Sequence, residues 1–131
     1  MKVIYPIIIT KTTDSKIPYF VSIPDLDGAT QGTSVDNAIE MARDYIGLKV
    51  MDLQDENKTV PDSVYSLPTA QKNDIVTLVD VDITTYRKKH DNKAIKKTLT
   101  IPNYLNELGN EQNINFSETL TNALKKQLNV H

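Results

Sequence analysis

The chain has 131 residues, of which 39% are hydrophobic, enough for one medium core or two small ones. It has no cysteine, which excludes disulfides and thiolate chemistry, and no stretch reaches the roughly 18 apolar residues that a membrane span needs. The net charge of −2 hides an asymmetry: residues 1–85 carry 7 Lys/Arg and 13 Asp/Glu, a net of −6, while residues 86–131 carry 8 and 4, a net of +4. An acidic body with a basic tail predicts two partners of different sign.

Met1 to Thr10 reads as a strand, rich in the β-branched residues Val3, Ile4, Ile7, Ile8 and Ile9. Its apolar run is too short for a secretory signal and lacks a small-residue cleavage site, so a cytoplasmic location is expected. Polar residues 12–16 form a turn, and Ile17 to Ile23 returns as a second strand. Pro24-Asp25-Leu26-Asp27-Gly28 is a turn signal, and Ala29 to Gly32 fits a short third strand. Thr33 and Ser34 then offer N-caps, with Asp36 placed three residues after Thr33 as in a capping box. Val35, Ala38, Ile39, Ala42, Ile46, Val50 and Leu53 keep helical spacing to about Gln54. Gly47 costs that helix about 1 kcal/mol relative to Ala. Residues 55–67 read as a loop and Asp74 to Thr85 as a strand. The order β-β-β-α-β predicts an α+β layer pair with the helix over one sheet face.

Tyr86 to Ala94 is polar and basic and reads as a linker. KKTLTIP, Lys96 to Pro102, then reads as a strand, with Pro102 in the first turn of a helix from Asn103 to Asn113. Phe116 to Val130 is an amphipathic helix with Leu120, Ala123, Leu124 and Leu128 on one face and Ser117 as N-cap. Domains under about 40 residues usually need a staple or oligomerisation, and this one has neither cysteine nor a metal-ligand set. An antiparallel pairing of KKTLTIP with a second copy would bury Leu99, Ile101, Leu120 and Leu124 as the dimer interface. Lys96, Thr98 and Thr100 would then point outward together. A two-stranded ribbon fits the DNA major groove, and the helix start near Ser117 suits a phosphate.

From about Ile95 to Val130 the chain resembles the ribbon-helix-helix family of dimeric DNA-binding proteins. The resemblance implies that Lys96, Thr98 and Thr100 read bases. The run YPIIIT…YFVSIPDLDGATQGTSVDNAIEMARDYI resembles the HicB antitoxin family. It does so through Tyr5-Pro6, Ile23-Pro24-Asp25-Leu26, Gly28, Thr30-Gln31-Gly32 and the capped helix with Ala38 and Ala42. The sequence departs from that family's pattern in its extended 55–73 loop and in the few acidic residues of the helix. The resemblance implies a degenerate ribonuclease-H-like body over residues 1–85, a linker over 86–94 and a ribbon-helix-helix domain over 95–131. The body is implied to mask a small basic toxin, HicA, which cleaves mRNA, with Asp25, Asp27 and Gln31 as contacts. The tail is implied to repress the operon encoding the pair, as a homodimer or a higher oligomer built from it.

Two other functions remain open on the residues alone. Asp25/Asp27 and Asp80/Asp82 are the carboxylate pairs that a ribonuclease-H-like, metal-dependent enzyme would use. A repressor whose body senses a small ligand is the other. His90 and His131 have no Ser or Cys nucleophile arranged beside them, and Asp25 and Asp27 are explained by their turn. No catalytic residue, metal site or cofactor is therefore expected. Tyr5, Tyr19, Phe20 and Tyr45 are expected to be core or half-buried positions.

Overall fold

Alternation along the first strand organises the N-terminal unit. In the computed structural model, which describes residues 1–130, strand β1 (Lys2–Lys11) buries Val3, Tyr5, Ile7 and Ile9 on one face. His131 lies outside the described residues. Strand β2 (Tyr19–Ile23) pairs antiparallel with the second half of β1, setting Ile8 opposite Ser22. Strand β3 (Gly28–Gly32) pairs with β2, and β4 (Ile75–Asp82) pairs with the other side of β1, setting Ile4 opposite Asp80. The sheet order is β3-β2-β1-β4, antiparallel throughout. Helix α1 (Val35–Asp55) lays Ala38, Ala42, Ile46 and Val50 into the same core as Val3, Ile7, Val21, Ile23 and Val79. Each large apolar side chain buried there contributes about 1.5–3 kcal/mol.

Of the two N-caps the sequence offers, α1 uses Ser34, and the capping box from Thr33 to Asp36 does not form. The Ser34 Oγ accepts from the Asn37 N–H (3.1 Å), and the Asn37 Oδ1 accepts from the Thr33 N–H (2.9 Å). Asp36 instead accepts the Ser34 hydroxyl proton. At its other end α1 closes on Asn57 in the left-handed region (φ 56), with the Lys58 N–H on the Leu53 carbonyl. Asparagine tolerates that conformation because its short amide compensates locally, so Asn57 takes the place usually held by glycine.

The long loop after α1 is pinned to β1. The Ile4 N–H donates to the Ser63 Oγ (3.0 Å), the Val64 N–H donates to the Ile4 carbonyl (2.9 Å), and the Tyr5 hydroxyl donates to the Pro61 carbonyl (2.6 Å). Ile4, and with it Pro6, therefore aims its backbone away from β4. Because β2 reaches only Ile8–Lys11, Pro6 falls where no ladder bond is lost for want of its N–H.

Residues 83–90 differ from expectation. The fourth strand stops at Asp82, and Ile83–His90 form helix α2 where the strand end and the first part of a linker were predicted. Asp82 caps it by accepting from the Thr85 N–H (3.2 Å). The Tyr86 ring lies against Gly47 of α1, where a Cβ would collide with it, and its hydroxyl donates to Asp44 (3.0 Å). Arg87 reaches Asp55 (2.8 Å), the Gln54 amide oxygen (3.0 Å) and Asp91 (3.0 Å). The irregular segment accordingly begins at residue 91.

The chain divides into two compact units, Met1–Lys93 and the segment from Ala94 on. In the second, residues 94–102 form no helix or strand within the chain, and the four-stranded sheet contains none of them. Helix α3 (Asn103–Glu111) follows Pro102, which stands at the N-cap position rather than inside the first turn. Helix α4 (Phe116–Gln127) is capped by Asn115, whose Oδ1 accepts from the Glu118 N–H (3.1 Å); Ser117 lies within the first turn and is not the cap. Asn113 (φ 56) and Asn129 (φ 58) close α3 and α4 as Asn57 closes α1.

Candidate functional site

The turn after β2 carries two of the three residues assigned to a partner. Pro24–Leu26 make a single 3-10 turn and Asp27 ends it in the left-handed region (φ 49), with Leu26 buried beneath. Asp25 is half-buried and Asp27 exposed. Burial first, and then the charges of Asp25 and Asp62, hold the Tyr5 hydroxyl above its usual titration range. Gln31 lies on β3, exposed and opposite Phe20 of β2. Phe20, Ala29, Thr30 and Gln31 line a shallow recess on the sheet. Phe20 is 47% exposed, so of the four aromatics expected to be covered it is the one that faces solvent.

The acidic pairs that an enzyme would use are differently placed. Asp80 and Asp82 alternate on edge strand β4; Asp80 pairs with Lys2 (3.6 Å) and Arg43 (3.7 Å), and Asp82 caps α2. Among the described residues, no three His, Cys, Asp or Glu side chains are grouped to hold a metal ion. A cleft of about 290 Å³ beside them is lined by Arg43, Asp44, Asp80, Tyr86, Lys89 and His90. In it the Tyr86 and His90 rings stack at 4.3 Å between centroids. Burial first, and then the hydrogen bond to Asp44, push the Tyr86 hydroxyl up to about 12. The sequence signal for this helix was Asp82 itself, a favoured N-cap residue, masked by the β-branched residues on both sides of it.

In the second unit, an apolar groove of about 550 Å³ separates the extended segment from α4. Lys97, Leu99 and Ile101 line one side, and Phe116, Ser117 and Leu120 are among the residues lining the other. The intervening Lys96, Thr98 and Thr100 do not line it, and all three are exposed. The Phe116 ring closes on Gly109, the one buried residue of α3, where a Cβ would strike it. Otherwise the unit leaves its apolar side chains open: Leu99 is 53% exposed, Ile101 50%, Leu120 37% and Leu124 47%. These leucines and isoleucines, at helical and strand spacing, together form an exposed apolar patch.

Residues 5–125 match the family model described as the HicB-like antitoxin of bacterial toxin–antitoxin systems, a span that crosses both units. The chain belongs to the HicB-like antitoxin family. It is 32% identical over 104 residues to an uncharacterized 14.9 kDa protein of the rep–hol intergenic region of Haemophilus phage HP1, a match covering 76% of this chain and 73% of that one. Among solved structures it is similar to a chain of a toxin–antitoxin complex from Streptococcus pneumoniae, at 30% identity and a TM-score of 0.61, covering 97% of this chain and 99% of that one. It shares its fold with the Burkholderia pseudomallei antitoxin HicB, at 23% identity and a TM-score of 0.54, covering 97% of each. An antitoxin role in a toxin–antitoxin system follows from this membership. Among the described residues no helix is long and apolar enough to cross a membrane.

Proposed function

We propose that this HicB-like antitoxin masks a small, basic, mRNA-cleaving toxin of the HicA kind with its N-terminal unit and represses its own operon with its C-terminal unit. In this reading the C-terminal unit pairs with that of a second copy as a ribbon-helix-helix, and the body is a degenerate ribonuclease-H-like fold that no longer cleaves. Lys96, Thr98 and Thr100 read base edges, and the first turn of α4 at Ser117 binds a phosphate. Asp25, Asp27 and Gln31 contact the toxin, whose approach the acidic body steers.

One observation carries the reading: among the described residues the segment 95–101 has no strand partner, while Leu99, Ile101, Leu120 and Leu124 stand 37–53% exposed. A second copy placed antiparallel supplies the partner and covers the groove. The test is light scattering of the full chain together with binding to the DNA upstream of its gene. The native chain should be a dimer or larger at micromolar concentration, and Leu99→Glu with Leu120→Glu should yield monomers that lose the DNA. Lys96→Ala with Thr98→Ala should keep the dimer, lower affinity for that DNA and leave capture of the co-expressed toxin intact. A native chain that is a folded monomer refutes the reading, as does equal loss of toxin and DNA in the Lys96/Thr98 variant.

A further inference from the structure

Residues 88–97 hold five lysines, Lys88, Lys89, Lys93, Lys96 and Lys97, against one acid, Asp91. That acid is already occupied by Arg87 at 3.0 Å. All five lysines are exposed or nearly so, and among the described residues none forms an ion pair. Lys88 and Lys89 follow Arg87 in the last turn of α2, which Arg87 and Tyr86 fasten to α1. Lys93 belongs to the irregular segment that continues into Lys96. The tract therefore begins on a held helix and ends at the proposed base-reading strand.

Resting on the DNA-binding reading above, we propose that Lys88, Lys89 and Lys93 are a phosphate-binding arm that grips the duplex beside the site read by Lys96, Thr98 and Thr100. Three residues of chain span at most about 10 Å, so Lys93 reaches the phosphates bordering a major groove about 12 Å wide when Lys96 is inside it. Lys88 and Lys89 lie seven or eight residues before Lys96, within about 25–30 Å of chain. The tract contains Ile95 as its only large apolar residue, and its one aromatic ring, His90, is already stacked on Tyr86, so it has no free ring to stack on bases and no apolar face to insert into a lipid surface. A tract of lysines with nothing to read sequence contributes affinity through counterion release, equally for any duplex.

The experiment measures binding of the full chain to two labelled duplexes across a salt series: the DNA upstream of its own gene, and an unrelated duplex of equal length. The variant is Lys88→Gln, Lys89→Gln, Lys93→Gln, with the three Lys→Arg changes as the charge-preserving control. In a dimer the Gln variant removes six phosphate contacts, and at about 0.9 for each the slope of log K against log salt should flatten by about 5. The loss should be the same on both duplexes, the Arg variant should keep the native slope, and the thermal midpoint should not move. Flattening by less than about 2, or a loss confined to the upstream DNA, overturns the arm while leaving the base-reading strand in place. A native chain that binds neither duplex overturns the DNA reading and the arm with it.

Discussion

Gly47 and Tyr86 make the sharpest test of how the body holds α2. On an open helix face, Gly→Ala stabilises by about 1 kcal/mol because alanine loses less backbone entropy on folding. At position 47 the added Cβ would meet three ring atoms of Tyr86. Forcing a methyl into such a contact costs about 1–3 kcal/mol. Displacing the ring also strains or breaks its hydrogen bond to Asp44, for a further loss of about 1 kcal/mol. Gly47→Ala should therefore destabilise the native chain by about 1–3 kcal/mol, the steric cost outweighing the propensity gain. In a Tyr86→Ala background the same change meets no ring and should stabilise by about 1 kcal/mol. The coupling between the two sites is then about 2–4 kcal/mol, well above what independent sites show. Urea unfolding of the four full-length chains at one protein concentration, followed by near-ultraviolet circular dichroism, measures all the terms. If Gly47→Ala stabilises both backgrounds alike, the ring is not seated on α1 and the docking of α2 described above is wrong.

Further outcomes follow from the capping and titration of the same elements. Asn115→Ala should lower the stability of the C-terminal unit by about 1 kcal/mol, while Ser117→Ala should leave it within about 0.5 kcal/mol and act on DNA affinity instead. Thermal melts of the two variants, run beside DNA titrations, separate the cap from the phosphate contact; equal destabilisation would return Ser117 to the cap. Tyr86 titrates near 12 in the folded chain, above the ordinary value of 10.0, so its contribution is complete below pH 10 and is lost as pH rises toward 12. Tyr86→Phe should flatten that part of the alkaline stability profile, and ultraviolet titration of the phenols should lose its latest-titrating step. A Phe variant with the native alkaline profile would place the late proton elsewhere.

Much of the body was legible because its elements bury one face within their own unit. The alternating Val3, Tyr5, Ile7 and Ile9 and the spacing of Ala38, Ala42, Ile46 and Val50 are the core itself. The 83–90 segment was misread because Ile83, Thr84 and Thr85 continue the β-branched run of the fourth strand. What turns that run into a helix is an Asp82 cap, the open space at Gly47 and an anchor on Asp55. Of the residues proposed to contact the toxin, Asp25 and Asp27 lie in the turn their sequence announced, but Gln31 shares its face with Phe20, which register alone reveals. Asn57, Asn113 and Asn129 as helix stops went unread because asparagine is ambiguous between loop and left-handed cap until the backbone is traced.

By itself the amino-acid order determined the split into an acidic body and a basic tail, the strand and helix periods, and the alternation of Lys96, Thr98 and Thr100 with Leu99 and Ile101. Those properties depend on neighbours a few positions away, which a linear reading contains. Only the tertiary structure decided that α2 exists, that residues 61–64 are fastened to β1, and that the leucines of the second unit stay open to water. Each depends on a surface made by residues distant in the chain, and propensity carries no information about whether such a surface is there.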